Sequence, residues 1–529
     1  MLTQWHGLWG VARVQFRTGR PGLVATAALA GALVLFTARS IVSLYDDPMK
    51  REVYRRSIGT SPVSMAFNGR GYDLDELGGI VVYEIGFFAL VILPVFAIHL
   101  AIRHTRGEED LGRADLVTAG PVGRLAPLGA AVTVVGASLL AGGLLTWAAL
   151  VSVGLEAAGS ARYAVGLTLY LGCCATLGVL AGQVATLSRS ALGLALGTLA
   201  LTYLVRGVVD GMGLDAVGAT PMGWLAEVRP FGDWQLWPML SMAALAVVGM
   251  VACVQVRQRR DLGGGLLAAR PGPPRAARGL AGPVSLLWWI SRGGLAGWVF
   301  GVAIWGVALG LLTSEVRDIV ANNSDLGALL GAAGGRIEDG VVSLGAATVA
   351  VAAAAATVQS VGRMLGEESL GRLGLVLSTR VGRVRWWLGL SGLLLLQSVV
   401  TVAAGGLALG LGVGFSLGAA DQVARASWAA LAFLPSVWLV SAVAAAMFAW
   451  RPAWAVAGWA LVSWGLVVVM LGETLRLAPW ARYLSPFEHT GRVPLVEPDA
   501  TALWVLSGLS ATMLVLGGAW FARRDLIAG

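Results

Sequence analysis

Long apolar runs recur along the 529-residue chain, and only 13% of its residues are charged, against roughly 25% in a soluble protein. A helix of about 20 apolar residues crosses the hydrocarbon core of a bilayer. Runs of this length exclude the short alternating strands of a membrane barrel. The sequence therefore predicts an all-α polytopic membrane protein. Windows of about 19 residues place twelve spans near residues 22–44, 80–102, 127–152, 162–187, 191–210, 237–256, 293–314, 340–362, 386–412, 427–450, 453–472 and 500–521.

The chain divides into two halves of six spans each. A basic stretch rich in Pro and Gly, residues 257–282, separates residues 1–256 from residues 283–529 and is predicted to be a linker. Both halves end in Arg-Arg-Asp-Leu, at 259–262 and at 523–526. Because each half has an even number of spans, we predict two six-helix repeats of parallel topology.

A polar sequence occurs once in each half, directly after the second span. The first repeated segment is RGEEDLGRADLVTAGPVGR, Arg106–Arg124, and the second repeated segment is LGEESLGRLGLVLSTRVGR, Leu365–Arg383. Aligned without gaps, they share 11 of 19 residues. The bias of Arg and Lys among the loops predicts that both segments, the linker and both termini lie in the cytoplasm, in a multi-pass protein of the plasma membrane.

An aromatic stretch precedes the first span of each half. In the first, Trp5, Trp9 and Phe16 fall on one helical face, which is typical of a helix lying flat in the membrane interface. Residues 284–291, VSLLWWIS, predict the same for the second half. We therefore expect an amphipathic leader helix before each half. The alternative is that each stretch simply extends the span that follows it.

Chemistry of its own is not expected from this chain. A Walker A motif needs Lys followed by Ser or Thr, but the only lysine, Lys50, is followed by Arg51. The sequence Gly414–Gly418 matches the Gly-x-Ser-x-Gly motif, yet it ends an apolar span rather than a strand, and we interpret it as a helix end. The three cysteines lack metal-binding spacing. We predict no enzymatic activity, no metal and no cofactor on the chain itself.

Few ionisable residues lie inside the spans: Arg39, Glu84 and Arg206. Arg39 and Glu84 fall at similar depth near the outer ends of the first two spans, so we predict an ion pair between them. The alternative is two side chains that reach water independently. Glycines four residues apart predict close helix packing, at Gly193/Gly197, Gly297/Gly301, Gly306/Gly310 and Gly406/Gly410.

The repeated segments suit a twofold partner. A short polar helix between two spans can dock in a groove of a soluble protein, and two copies on a pseudo-twofold chain match a dimer. A dimeric ATPase would be such a partner. The alternative is a solvated loop that only orients the spans.

The chain resembles the permease subunit of type-2 ABC transporters, in the large two-half form of polyketide-antibiotic (tetronasin-type) exporters. The resemblance rests on both repeated segments, the Arg-Arg-Asp-Leu ends and the aromatic leaders. In that family, the cytoplasmic segment after the second span is a coupling helix that contacts the ATP-binding subunits. It implies partner-binding roles for the matching residues, which are Glu108, Glu109, Leu111, Gly112, Arg113, Glu367, Glu368, Leu370, Gly371 and Arg372.

We therefore predict the membrane subunit of an ATP-driven exporter of a hydrophobic or amphipathic compound, such as an antibiotic or a lipid-like molecule. Two copies of a separate ATP-binding cassette subunit would bind ATP and Mg²⁺, and no nucleic-acid partner is expected. The first alternative is an ion-coupled secondary drug transporter with twelve spans. The second is a membrane-embedded transferase, which would need acidic or histidine clusters at a membrane face.

Overall fold

A computed structural model of the chain describes residues 2–57, 59, 62–214, 218, 220–261, 263–266, 279–280, 282–314, 316–317, 337–471 and 477–526. Helices make up most of these residues, and no strand occurs among them. Within these ranges, twelve helical stretches are long and apolar enough to cross a membrane, which confirms the predicted all-α polytopic architecture. Contacts divide the chain into two compact units, Met1–Gly272 and Pro273–Gly529. Most of the predicted linker lies outside the described residues.

The first unit contains six spans and several short helices. A π-helical turn, Phe88–Ile92, joins two helices into the second span, and the Tyr170 hydroxyl donates to the Leu90 carbonyl oxygen of this turn at 3.1 Å. In chain order, the helices are α1 (Leu8–Leu44), α2 (Pro48–Ser57), α3 (Pro62–Asn68), α4 (Leu77–Phe87), α5 (Leu93–His104), α6 (Arg106–Asp110), α7 (Arg113–Thr118), α8 (Ala126–Ser152), α9 (Ala157–Val184), α10 (Ser188–Gly211), α11 (Pro221–Glu227) and α12 (Trp237–Arg259).

The second unit also contains six spans, and its second span is the most deeply buried of the twelve. Its fourth span consists of two helices that meet at Ala432 and Phe433. The helices are α13 (Pro283–Leu311), α14 (Ile337–Ser369), α15 (Arg372–Leu377), α16 (Arg383–Leu417), α17 (Asp421–Leu431), α18 (Leu434–Trp450), α19 (Ala457–Leu471), α20 (Pro479–Tyr483) and α21 (Ala500–Arg523).

The aromatic leaders are not separate helices. Helix α1 runs without a break from Leu8 to Leu44, with Pro21 inside it, and its 37 residues include the first span and the leader from Leu8 onward, while Trp5 ends a 3-10 turn, Leu2–Trp5. At 1.5 Å per residue it is about 55 Å long, well above the thickness of a hydrocarbon core. Helix α13 likewise includes residues 284–291. Each leader therefore extends its span from Leu8 or Pro283 onward, and Pro21 does not end helix α1.

Half of the predicted glycine contacts are formed. In the second unit, a Cβ atom on Gly310 would lie 2.5 Å from the Leu409 carbonyl oxygen, and one on Gly306 would lie 2.6 Å from that of Gly405. The absence of side chains therefore lets α13 and α16 pack backbone to backbone. The pair Gly406/Gly410 also packs closely, whereas nothing lies within 4 Å of a Cβ at Gly193, Gly197, Gly297 and Gly301.

Substitution of two glycines on the same helix tests this packing. We expect Gly310→Ala to destabilise the protein by about 1–3 kcal/mol, because the backbone of α16 must move away. Gly301→Ala is the matched control, since its Cβ meets open space, and it should stabilise the helix by up to about 1 kcal/mol. Thermal unfolding in detergent, followed by tryptophan fluorescence, measures both changes. Equal melting temperatures for the two variants would contradict the assigned contact.

Candidate functional site in the two repeated segments

The two repeated segments share a glycine turn followed by a six-residue helix. In the first, α6 ends at Asp110 and α7 begins at Arg113, and Gly112 between them has a φ of +68°. In the second, α14 ends at Ser369, α15 begins at Arg372, and Gly371 has a φ of +71°. Backbone in this region strongly favours glycine. The shared Gly-Arg therefore forms the turn that leads into a short helix, after the short α6 in the first unit and after the long α14 in the second.

The first glutamate of each Glu-Glu pair binds the arginine after the turn. The Arg113 guanidinium donates two hydrogen bonds to Glu108, at 2.8 and 2.6 Å, and Arg372 donates two to Glu367, at 2.8 and 2.7 Å. Both arginines are about half exposed. Two-pronged pairs of this kind have a defined geometry. They close the turn and leave charged groups at the surface of each segment.

The second glutamate of each pair is buried and faces its own unit. Glu109 accepts a hydrogen bond from Arg260 at 2.6 Å, and its side chain is 7% exposed. Glu368 accepts one from Arg524 at 2.6 Å, and its side chain is 1% exposed. The prediction gave both carboxylates a partner-binding role. That role stays a prediction; in the structure each of the two carboxylates is paired with an arginine inside its own unit.

The last arginine of each segment contacts the same arginine of the Arg-Arg-Asp-Leu sequence. Arg124 donates to the Arg260 carbonyl oxygen at 2.7 Å, and Arg383 donates to the Arg524 carbonyl oxygen. The start and the end of each segment are thus tied to one residue just after the last span of the unit. We call this arrangement the anchor: Glu109, Arg124 and Arg260 in the first unit, and Glu368, Arg383 and Arg524 in the second.

The two anchors differ in their surroundings. In the first unit, Arg106 and Arg257 also bind Glu109. The corresponding residues of the second unit are apolar, Leu365 and Phe521, and the Phe521 ring stacks on Trp386 with centroids 4.9 Å apart.

The arginines around Glu109 determine the pKa of its carboxyl group. Burial raises the pKa of this carboxyl, but the hydrogen bond from Arg260 and the charges of Arg257, Arg260 and Arg106 outweigh it and hold the pKa below its usual value. The Glu109 carboxylate is therefore ionised at neutral pH. The first anchor is consequently held by opposite charges in a largely buried place.

Exposed leucines occupy the outer surface of each segment. Leu111 and Leu370, just before the turn, are each 62% exposed. Leu116 and Leu375, on the helix after the turn, are 79% and 71% exposed. The two pairs stand at the same positions of the repeat. Each segment therefore presents two large apolar side chains beside an Arg–Glu pair.

The predicted ion pair between Arg39 and Glu84 is not formed. Arg39 lies on the exposed face of α1 and has no ion pair among the described residues. Glu84 accepts a hydrogen bond from the Tyr54 hydroxyl instead. The physical reason is the connection between the two spans, which folds into α2 and α3 and brings Tyr54 over Glu84.

Arg206 closes a short helix. It is 2% exposed, binds Asp210 at 2.9 Å, and donates to the carbonyl oxygens of Ala66 at 2.6 Å and Phe67 at 3.0 Å, near the end of α3. The end of a helix leaves carbonyl groups without intrahelical partners, and the guanidinium satisfies two of them. This charge in the span therefore has a structural role.

Sequence reasoning missed the arginines of the anchor. In the sequence, Arg260 and Arg524 stand out only as parts of the repeated Arg-Arg-Asp-Leu sequence. Arg124 and Arg383 stand out only as identical residues in the aligned repeated segments. The available signal was that two separate repeats, spaced by 259 and 264 residues, carry opposite charges. Within the described ranges, no group of three or more His, Cys, Asp or Glu side chains could hold a metal ion.

Comparison with known proteins gives two matches. Residues 280–522 match the family model for the C-terminal domain of the multidrug efflux system permease Rv1217c. The multidrug efflux system permease protein Rv1217c of Mycobacterium tuberculosis is 28% identical to the chain over 524 residues, which are 98% of this chain and 95% of the relative. The chain is therefore a polytopic membrane protein that is similar, over nearly its whole length, to a multidrug efflux permease.

Proposed function

We propose that the chain is the membrane-spanning permease subunit of an ATP-driven ABC exporter that moves a hydrophobic or amphipathic compound out of the cell. The compound would be an antibiotic, another drug or a lipid-like molecule. ATP and Mg²⁺ would be bound by two copies of a separate ATP-binding cassette subunit. The relative's name, a multidrug efflux system permease, supports the efflux part of this proposal.

One observation carries the ATP-driven part: the same polar segment folds the same way twice. Each copy has a glycine turn, a surface Arg–Glu pair, two exposed leucines and an anchor to the last span of its unit. Two equivalent surfaces on one chain suit a partner made of two identical subunits. The surface of each segment mixes apolar and paired charged groups, which is typical of the polar contacts that proteins form with soluble partners.

The orientation that this function requires follows from the loop charges. The Arg and Lys bias supports a cytoplasmic location for both repeated segments and both termini. ATP is available on that side. An energy source from a partner also fits the sequence, because Lys50 is the only lysine and cannot belong to a Walker A motif.

An apolar cavity supports a hydrophobic cargo. It lies among the second, third, fourth and sixth spans of the first unit, has a volume of about 260 Å³, and is lined mostly by aliphatic side chains, with Thr105 and Thr176 as hydroxyl-bearing members. Pockets for drug-sized ligands begin at about 300 Å³. A cavity of this size would hold one apolar part of a larger compound.

The ion-coupled alternative has less support. A proton- or sodium-driven transporter usually carries ionisable groups at mid-membrane. Here Arg206 and Asp210 bind each other and Arg206 closes α3, while Glu84 is near the outer end of its span. These groups have structural partners at the ends of spans. The described residues thus favour a partner-driven mechanism.

Native mass spectrometry of the complex tests the proposed function. The chain would be coexpressed with an ATP-binding cassette subunit from the same genome and purified in a mild detergent. We expect a particle of one chain and two ATPase subunits. A chain that stays alone with every such subunit offered, at concentrations where other permeases assemble, would contradict the proposal.

A further inference from the structure

The anchor differs from the rest of each repeated segment, because its contacts lie inside the unit and not at the surface that would receive a partner. In each unit a buried carboxylate at the start of the segment and an arginine at its end bind one arginine that follows the last span. We propose that Glu109 with Arg260, and Glu368 with Arg524, are positioning residues that join each repeated segment to the last span of its own unit. A push on the segment would then move α12 or α21. This inference rests on the proposed function, because it assumes that a partner acts on the segments.

The geometry favours a stiff connection. Arg524 donates through two nitrogens to the two oxygens of Glu368, one at 2.6 Å, while its own carbonyl oxygen accepts from Arg383. Arg524 thus holds both Glu368 and Arg383 through charge-assisted hydrogen bonds, which are shorter and stronger than neutral ones. Rotation of the segment about any single bond would break another. The segment and the end of α21 must therefore move together or come apart.

The two units provide independent evidence. The glutamate and the last arginine of the segment recur at a spacing of 259 residues, whereas the arginine after the last span recurs at 264. The stretches between these residues have different lengths and sequences in the two units. The same two contacts form nonetheless, between the same chemical groups: a guanidinium to a carboxylate, and a second guanidinium to a backbone carbonyl.

Each repeated segment has two sets of residues with different roles, one for binding the partner and one for contact with the last span. The arginine after the turn and the leucines are exposed and the side chain of the first glutamate is about one fifth exposed, whereas the side chain of the second glutamate is 7% exposed or less. The exposed residues are placed to receive a partner. The buried residue is placed to pass its movement to the span. Adjacent glutamates of identical chemistry therefore have different roles, which a substitution of both at once would not reveal.

A charge exchange in the second unit tests the proposal, because the neighbours of its anchor, Leu365 and Phe521, carry no charge. The full chain would be purified with its ATPase subunits as Glu368→Arg, as Arg524→Glu and as both together. Each single variant should lower the ratio of cargo-stimulated to basal ATP hydrolysis by about tenfold, a coupling typical of residues in contact. The double variant should restore the ratio to within about twofold of the unmodified complex.

The control is Glu52→Arg, which breaks an exposed ion pair with Arg55 on α2, outside both segments. It should leave the ratio unchanged. A purely structural role would lower the yield of protein without changing the ratio in the protein that remains. If the single variants do not fold, recovery of both folding and stimulation in the double variant supports the proposal, and failure to recover overturns it. Wild-type ratios in both single variants would overturn it as well.

The outcome is distinguishable from a failure of the proposed function. If the unmodified chain does not purify with an ATPase, or if cargo does not stimulate hydrolysis, the proposed function fails. If cargo stimulates hydrolysis by the unmodified complex but the double variant does not restore the ratio that the single variants lose, the proposed function stands and only the role of the anchor is contradicted.

Discussion

Replacement of Leu111, Leu116, Leu370 and Leu375 by Glu will prevent the ATPase subunits from purifying with the chain. These side chains are 62–79% exposed and stand beside the surface Arg–Glu pairs. Burial of one leucine side chain at an interface contributes about 1.5–3 kcal/mol. The loss of four, together with four added charges, exceeds what a complex of ordinary affinity can tolerate. The variant itself should fold, because none of the four side chains is buried.

The measurement is copurification on a tagged ATPase subunit, with quantification of the bound chain. The matched control is Leu214→Glu, an exposed leucine on the side that the loop charges predict to be extracellular. The control should bind as the unmodified chain does. Full binding by the fourfold leucine variant would show that the partner uses another surface.

Replacement of Arg206 by Met will destabilise the first unit more than any other single change at the ends of its spans. Asp210 would keep its charge in a place where its side chain is 1% exposed, the Ala66 carbonyl would lose the hydrogen bond from Arg206, and the Phe67 carbonyl would keep only the one from the Tyr203 hydroxyl. Removal of one partner of a buried ion pair costs about 3–5 kcal/mol. Thermal unfolding of the purified chain in detergent should show a clear fall in melting temperature.

Arg39→Met is the control for this experiment. Arg39 is exposed and has no ion pair in the described part of the chain, so the same substitution should change stability by about 0.5 kcal/mol or less. A melting temperature of Arg206→Met that equals that of Arg39→Met would mean that the buried pair and the closed helix end contribute nothing.

The spans could be predicted from sequence because their signal is local. A run of about 20 apolar residues has one stable solution in a bilayer, and all twelve predicted spans correspond to helices. The limits of the first span were wrong by fourteen residues, since Leu8–Leu44 continues through the leader. The aromatic face of the leader is compatible with a flat helix and with an extension of the span. Only the unbroken backbone distinguishes the two.

The repeated segments could be found from sequence, but the orientation of their side chains could not. Glu108 and Glu109 are adjacent and identical, and Glu109 is the one held inside the unit. Arg106 binds it locally, and Arg257 and Arg260 reach it from the end of α12. That contact joins residues about 150 positions apart, and no local pattern reports it. The glycine turn is different, because Gly112 and Gly371 need only their own backbone to determine the local path.

The Arg39–Glu84 pair was predicted only from the similar depth of the two residues in the membrane, and depth does not determine which side chains of two helices face each other. Equal depth in neighbouring antiparallel spans is necessary for contact, but the rotation of each helix about its axis decides which side chains face each other. No structure was predicted for the connection from residue 45 to residue 76. It forms two helices, and one of them supplies Tyr54 as the partner of Glu84.

Transport driven by ATP in the absence of any ion gradient is the most direct test of the account. The chain and its ATPase subunits would be reconstituted in proteoliposomes with a fluorescent apolar dye and a proton ionophore. We predict dye transport that requires both proteins and ATP, and that stops when the ATPase cannot hydrolyse ATP. Transport by the chain alone, driven by an imposed proton or sodium gradient and indifferent to ATP, would contradict the account.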